Sequence, residues 1–282
     1  MNRIYLKIKI DVIGIQVMKK KYLHIILLLQ LLTSCINYSP YEIDVDAEDR
    51  NMNDKNIQLL TTNGLKGDTA VFAFIGDTQR FYDETNLIVQ KINQDPKIEF
   101  VIISGDLSDF GLNLEFEEML EVLKRLNVPF LSVIGNHDFL YNGEFIYQEM
   151  FGDFNYTFLY KGFKFIMINT NSRESQFNGL VPDIEWLNNE LSKTNEYKNA
   201  LVVGHVPPYD RDFDTSLETA FSETLVKWKK TLLSLNGHYH DFSELQPYPG
   251  GITYLNSFST GKGHYLVVRI WTDGFSYEIK DI

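Results

Sequence analysis

Residues 101–138 read VIISGDLSDFGLNLEFEEMLEVLKRLNVPFLSVIGNHD. Two short apolar runs, Phe100–Ser104 and Phe130–Ile134, each end in a glycine that polar residues follow. Short apolar runs bounded in this way are typical of strands that a parallel sheet buries on both faces. Leucine and methionine recur between the two runs at helical spacing, so the stretch predicts a strand–helix–strand unit.

Polar side chains follow both predicted strands, where the loops of such sheets carry chemistry. They are Asp106, Asp109, Asn136, His137 and Asp138. Three carboxylates, an amide and an imidazole in one place would repel one another or lack hydrogen-bond partners. The pattern therefore favours a metal site, although residues 105–109 alone also fit an ordinary polar turn.

The N-terminal region contains a predicted secretory signal peptide. Residues 18–35 read MKKKYLHIILLLQLLTSC, with three lysines, a short apolar run and small residues before a cysteine. The apolar run is shorter than the roughly 20 residues that span a bilayer. The LTSC ending resembles the lipobox of bacterial lipoproteins, which implies cleavage after residue 34 and a lipid on Cys35. Residues 1–17 are then an over-extended N-terminus, and an uncleaved membrane anchor is the alternative.

This interpretation predicts an exported lipoprotein, periplasmic or in the outer membrane of a Gram-negative bacterium. Ile36, rather than an aspartate, follows the cysteine and favours the outer membrane. Cys35 is the single cysteine of the chain, so the sequence excludes an intramolecular disulfide.

The charge of the chain argues against nucleic acid as a partner. The sequence has 26 basic and 38 acidic residues, of which residues 1–34 hold six and one. The remaining 20 basic and 37 acidic residues give a net charge of −17, which repels a polyanion. Residues 35–66 are acidic with little apolar periodicity, and we expect a solvated tether whose Ile57–Leu60 docks on the folded part.

Residues 67–282 have the length of one domain. Besides the two strands above, the apolar runs predict strands at Ala70–Ile75, Tyr156–Tyr160, Phe163–Ile168, Ala200–Val203, Leu232–Leu235, Ile252–Asn256, Tyr265–Trp271 and Phe275–Ile279. Helices are predicted at Asn86–Ile92, Glu144–Met150, from Pro182 to Leu191, and at Leu217–Lys230. Short connections near the C-terminus predict a mixed or antiparallel sheet there.

Five of the predicted strands are followed by a polar motif. The motifs are DTQ at 77–79, GDLSD at 105–109, GNHD at 135–138, GH at 204–205 and GHYH at 237–240. In this order they resemble the calcineurin-like metallophosphoesterases, whose pattern is D-x-H, GDxxD, GNH(D/E), GH and GHxH. The resemblance covers residues 70–240.

The resemblance implies an α/β fold, a four-layer α/β/β/α sandwich of two mixed β-sheets flanked by helices. It also implies two divalent metal ions at the strand ends. Matched residue by residue, the first ion would bind Asp77, Gln79 and His240, the second would bind Asn136, His205 and His238, and Asp106 would bridge them. Mixed imidazole, carboxylate and amide ligands favour Mn²⁺ or Fe, with Zn²⁺ as the alternative.

The implied activity is hydrolysis of a phosphoester by metal-activated water. His137 matches the family's non-ligand histidine and would be the general acid. Asp109 matches its carboxylate partner, with a turn or cap residue as the alternative. Phe110 stands where one phosphatase branch has a phosphate-binding arginine, which argues against phosphoprotein substrates. Gln79 stands where the family pattern has histidine. An inactive site, or one that selects particular metals, is therefore an alternative.

A phosphodiester such as a cyclic nucleotide is the favoured substrate, with a monoester or pyrophosphate as alternatives. The other class of function is a surface-tethered binding module that keeps the fold without turnover. Aromatic residues beside the motifs fit core and rim packing better than stacking on a nucleobase. We expect a monomer without a separate cap domain, since no large insertion separates the motifs.

Overall fold

A computed structural model describes residue 22 and residues 42–62 and 67–282 of the chain. The chain divides into two compact units, Met1–Ser39 and Pro40–Ile282, and the first is described only at Tyr22. Cys35 and, apart from Tyr22, the predicted signal peptide lie outside the described residues. Among the described residues, no helix combines the length and the apolar character that crossing a membrane requires.

The first of two β-sheets contains five strands in the order β11-β10-β1-β2-β3. Strands β1, β2 and β3 run parallel, whereas β10 is antiparallel to both β1 and β11. The strands are β1 (Ala70–Ile75), β2 (Phe100–Ile103), β3 (Phe130–Ser132), β10 (His264–Trp271) and β11 (Gly274–Asp281).

The second sheet contains six strands in the order β4-β5-β6-β7-β9-β8. Strands β5, β6, β7 and β9 run parallel, and the two edge strands β4 and β8 are antiparallel to their neighbours. The strands are β4 (Tyr156–Tyr160), β5 (Phe163–Met167), β6 (Asn199–Val203), β7 (Thr231–Asn236), β8 (Ser243–Leu245) and β9 (Thr253–Asn256).

Helices cover the outer faces of both sheets and complete the predicted four-layer α/β/β/α sandwich. Helices α2, α3 and α4 pack on the first sheet, and α5 and α6 pack on the second. The described helices are α1 (Met52–Thr62), α2 (Tyr82–Gln94), α3 (Asn113–Leu123), α4 (Gly143–Phe151), α5 (Ile184–Ser192) and α6 (Thr215–Lys227), with 3₁₀ turns at Ala47–Asp49, His137–Phe139 and Thr260–Lys262.

The core explains why the strands read as continuous apolar runs. Along β1, Phe72 and Phe74 point to the layer between the sheets, while Ala73 and Ile75 point to the helices. In the central layer the ring of Phe72 on β1 meets the ring of Phe165 on β5 of the second sheet edge to face, with centroids 5.7 Å apart. Truncating a buried phenylalanine typically costs about 3–5 kcal/mol, so this layer holds the two sheets together.

The acidic segment before β1 differs from the predicted tether. Within it, α1 packs on the first sheet, and the predicted docking of Ile57–Leu60 is confirmed, since Leu60 is buried in the layer between the sheets. The side chain of Asn53 donates to and accepts from the backbone of Ser132, and Asn56 accepts from the backbone N–H of Phe130. These amides satisfy the open edge of β3, which would otherwise expose unpaired backbone groups. The segment is therefore partly folded, because its helix supplies hydrogen bonds to the backbone of the edge strand β3.

Two further predictions are corrected by the structure. Helix α5 begins at Ile184 rather than Pro182, because the side chain of Asp183 accepts from the backbone N–H of Trp186 and caps the helix there. Strand β8 is absent from the predicted elements: it has three residues, none of them buried, and so carries no apolar pattern.

Candidate metal centre

The five polar motifs meet where β1, β2, β3, β6 and β7 end. Their chains approach closely, and glycines make this approach feasible. A Cβ on Gly105, whose φ is +94°, would lie 2.7 Å from the backbone N of Gly135 and 2.9 Å from Nδ1 of His205. A Cβ on Gly135 would lie 2.2 Å from Oδ1 of Asp106. Larger residues at these positions would push the motifs apart.

Four of the predicted ligands have a left-handed backbone. Their φ angles are 48° at Asp77, 55° at Asp106, 75° at His238 and 61° at His240. For residues other than glycine this conformation costs free energy, of the order of 1–3 kcal/mol each, and such residues cluster at functional sites. The surrounding fold therefore imposes the direction in which these side chains point.

A continuous chain of contacts joins all seven predicted ligands. Oδ2 of Asp106 lies 3.4 Å from both Nε2 of Gln79 and Nε2 of His205. Oδ1 of Asn136 lies 2.9 Å from Nε2 of His205 and 3.0 Å from Nδ1 of His238. The remaining two contacts link Asp77 Oδ1 to the backbone N of His238 at 3.1 Å and to Nε2 of His240 at 3.4 Å.

The tautomer of His205 suits a metal ligand. Its Nδ1 lies 2.6 Å from the carbonyl oxygen of Ser104. A carbonyl oxygen can only accept, so Nδ1 carries the proton and donates it. Nε2 is then the nitrogen that faces Asp106 and Asn136, and a bound ion would share its lone pair.

The buried acids require positive charge nearby. Burial raises the pKa of Asp77 to about 7, although the nearby His205 lowers it. Burial also raises the pKa of Asp106, but His205 and His137 outweigh it, so that the net pKa lies below its usual value. Burial lowers the pKa of His205, but Asp106 and Asp77 outweigh it and raise the pKa to about 10. The two buried carboxylates thus favour positive charge beside them, and a bound cation would supply it in place of a proton on Nε2 of His205.

Unpaired oxygens show that the residues fit a metal ion. Oδ2 of Asp77 and Oε1 of Gln79 are buried and have no hydrogen-bond partner within the described protein. Leaving such atoms unpaired costs free energy, and these are the two that occur among the seven predicted ligands. Both belong to the ligand set predicted for the first ion, and oxygen donors of this kind suit a hard divalent cation. The described residues offer two groups that could hold an ion, Asp77 with Asp106 and His205, and His238 with Asp210 and Asp212.

His137 lies at the edge of this cluster, with its side chain 32% exposed. Its backbone N–H donates to Oδ1 of Asp106 at 3.0 Å, and its Nδ1 lies 2.8 Å from the carbonyl oxygen of Asp109. The carboxylate of Asp109 is 3.7 Å from Nδ1, too far for a hydrogen bond. It instead accepts from Nη2 of Arg80 at 2.6 Å. The carboxylate thus lies at ion-pair distance from His137, as the predicted pairing requires, but its hydrogen bond goes to Arg80.

Three acidic residues of the site were not assigned roles from the sequence. Asp210 and Asp212 each have a carboxylate oxygen 3.5 Å from Nε2 of His238 and so flank the ring nitrogen that faces away from Asn136. Asp138 is fully buried and accepts from the backbone of Leu107, Ser108 and Gly135, which ties two motifs together. The Asp-x-Asp spacing at residues 210–212 is a sequence signal for a further pair of site carboxylates. Its position beside the GHYH motif follows only from the fold.

The family model for calcineurin-like phosphoesterases matches residues 70–242, more than half of the chain. The chain therefore belongs to the calcineurin-like phosphoesterase family. All five motifs lie within the matched residues, so the family assignment rests on the same strand ends that form the contact cluster.

Two relatives and one solved structure illustrate the similarity. A probable glycerophosphodiester phosphodiesterase of Arcobacter nitrofigilis is 31% identical over 171 residues, 56% of this chain and 62% of the relative. A 3',5'-cyclic-nucleotide phosphodiesterase of Nostoc sp. is 25% identical over 173 residues, 58% of this chain and 64% of the relative. The chain thus spans less than two thirds of either relative. A dimetal phosphatase from Danio rerio has the same fold, with a TM-score of 0.63, 15% identity, and coverage of 76% of this chain and 97% of that one.

Proposed function

We propose that this protein is a metal-dependent phosphoesterase that hydrolyses a phosphodiester. The observation that carries the proposal is the convergence of seven ligand-type side chains on one cluster that leaves two buried oxygens, Asp77 Oδ2 and Gln79 Oε1, without partners. Membership of the phosphoesterase family supports the reaction class. The names of the two relatives, both phosphodiesterases, support a diester, including a cyclic nucleotide.

Two divalent ions in this cluster would supply Lewis acidity toward the phosphoryl oxygens and would activate the attacking water. The protein's own residues hold and orient the reactants around them. Asp106 lies between the two ligand sets, since it contacts Gln79 on one side and His205 on the other. His137 has Nδ1 fixed by the carbonyl of Asp109, so its Nε2 is the atom that would deliver a proton to the leaving oxygen.

The first prediction is that the purified protein, stripped of metal and reloaded with Mn²⁺, hydrolyses bis-(p-nitrophenyl) phosphate faster than p-nitrophenyl phosphate. Gln79 contributes a neutral oxygen where histidine would contribute a nitrogen, and this favours Mn²⁺ or Fe over Zn²⁺. Release of p-nitrophenol, measured with each metal and each substrate, is the test. A clear preference for the monoester would overturn the diester assignment.

A binding module without turnover is the second candidate function. Gln79 favours it, because a weaker donor at the first ion would lower occupancy of a site that hydrolysis requires. Metal content distinguishes the candidates. Protein that holds two ions and leaves both p-nitrophenyl substrates intact would support the binding module, whereas turnover of either substrate would exclude it.

We further propose that the chain is exported and anchored in a membrane by a lipid on Cys35. The basic, apolar and small-residue order of residues 18–35 supports this proposal. The second prediction is that radiolabelled palmitate enters the wild-type protein in a Gram-negative host and does not enter Cys35→Ser. The substituted protein should be soluble after export. Equal membrane retention of both proteins would contradict the lipid anchor.

A further inference from the structure

We propose that Arg80, held in place by Asp109, contacts an anionic phosphoryl oxygen of the substrate and so determines how tightly phosphoesters bind. This inference rests on the proposed function and adds a substrate-contacting residue outside the predicted ligands. Arg80 follows Gln79 directly in the chain. Its guanidinium forms an ion pair with Asp109, with 2.6 Å between Nη2 and Oδ1.

The position of Arg80 follows from three successive contacts. Asp106 accepts from the backbone N–H of His137, and the ring of His137 bonds the carbonyl oxygen of Asp109. The carboxylate of Asp109 then holds Arg80. The guanidinium therefore lies on the side of the cluster where His137, the proposed general acid, stands.

Among the described residues, the guanidinium of Arg80 has one hydrogen-bond acceptor, the carboxylate of Asp109. A guanidinium has five N–H groups, and the ion pair with Asp109 occupies one nitrogen. The side chain is 58% exposed, whereas the side chain of Asp109 is only 12% exposed. The carboxylate is thus shielded and serves as an anchor, while more than half of the Arg80 side chain stays open to solvent. A fork of N–H donors matches the geometry of phosphate oxygens.

The charge of the chain makes such a contact important. With a net charge of −12 over the full sequence, the protein as a whole repels an anionic substrate. Two other arginines contact Asp212 beside His238: Arg173, which also pairs with Glu174, and Arg211, whose Nε lies 3.9 Å from the carboxylate. A local guanidinium is a direct way to attract a phosphoester against this field.

An ordinary surface ion pair is the alternative role for Arg80 and Asp109. Such pairs contribute little to stability, and removing one would leave ligand binding unchanged. The two roles therefore differ in one measurable quantity: the affinity of the metal centre for an anion depends on Arg80 in the first role and does not in the second. Inorganic phosphate is a suitable probe, because its binding can be measured by calorimetry on Mn²⁺-loaded protein whether or not turnover occurs.

The third prediction is that Arg80→Ala weakens phosphate binding and lowers kcat/KM by about 10- to 100-fold, the range expected for a charge-assisted hydrogen bond. Arg80→Lys keeps the charge but loses the planar fork, so its phosphate affinity and kcat/KM should lie between those of the wild type and Arg80→Ala. Metal content should stay at the wild-type level in both. Arg50→Ala is the matched control, since Arg50 is 49% exposed and pairs with one carboxylate, that of Glu149.

A double-mutant cycle tests whether the carboxylate of Asp109 acts through Arg80 or through His137. Asp109→Asn keeps the backbone carbonyl that bonds His137 and removes the charge that holds Arg80. If Asp109 acts through Arg80, Asp109→Asn weakens phosphate binding in the wild type and has no further effect in Arg80→Ala. An effect of the same size in both backgrounds, or unchanged phosphate affinity in Arg80→Ala, would overturn the proposal. Wild-type protein that binds phosphate without turnover would count against the proposed function alone.

Discussion

Asp106→Asn is expected to remove both metal ions and to lower hydrolysis by more than the roughly 10²–10⁴-fold that general acid–base catalysis contributes. The carboxylate is buried and lies 3.4 Å from Gln79 on one side and from His205 on the other. Only Asp77 and Asp106 bring negative charge to the seven predicted ligands, so an amide at residue 106 halves the charge that offsets two divalent ions. Metal content by mass spectrometry after dialysis is the direct measurement.

The matched control for this prediction is Asp241→Asn. Asp241 follows the GHYH motif, but its side chain is 69% exposed and pairs with Lys262. It should keep both ions and full activity. Circular dichroism of both variants should match the wild type, since asparagine has nearly the volume of aspartate. An Asp106→Asn protein that still holds two ions after dialysis would contradict the bridging role.

The central strands could be predicted because each is buried on both faces. Phe72 and Phe74 face the other sheet, while Ala73 and Ile75 face helices, and so the sequence has no polar residue to interrupt the run. The glycine after each run marks where the chain leaves the sheet. These local features are sufficient to place five motifs at strand ends and to recognise the family.

Elements that depend on a distant partner could not be predicted. Helix α1 has a largely polar sequence, and its place is set by Asn53 and Asn56, which bond the edge of β3, 79 and 74 residues away in sequence. Strand β8 has three exposed or half-exposed residues and exists because β9 offers it an edge. Tertiary hydrogen bonds determine where both elements lie, and such bonds leave no trace in the hydrophobic periodicity of the sequence.

The same distinction applies to the candidate site. The predicted ligands follow strands directly, so the packing of the two sheets brings them together. Arg80, Asp210 and Asp212 depend on how loops fold back over the strand ends. The carboxylate of Asp109 shows the consequence, because it lies at ion-pair distance from the predicted partner His137 but also bonds Arg80, a partner that the sequence did not indicate. The sequence identified the predicted ligands, but it did not show that Asp109 would bond Arg80.

His137→Ala is expected to leave metal content unchanged and to slow turnover by about 10²–10⁴-fold if His137 is the general acid. Its ring bonds only the carbonyl oxygen of Asp109 among the predicted site residues, and its backbone N–H, which alanine keeps, supplies the hydrogen bond to Asp106. The two ligand sets therefore survive the substitution. His264→Ala is the control, since His264 pairs with Asp281 away from the motifs.

The leaving group makes this last prediction specific to proton donation. p-Nitrophenolate leaves readily without a proton, whereas an alkoxide leaves slowly unless an acid protonates it. The loss of kcat in His137→Ala should therefore be much larger for an alkyl phosphodiester than for bis-(p-nitrophenyl) phosphate. An equal loss with both substrates would mean that His137 positions the site instead of donating a proton. A loss of metal equal to that in Asp106→Asn would make His137 part of the ligand shell, which its contact with the Asp109 carbonyl argues against.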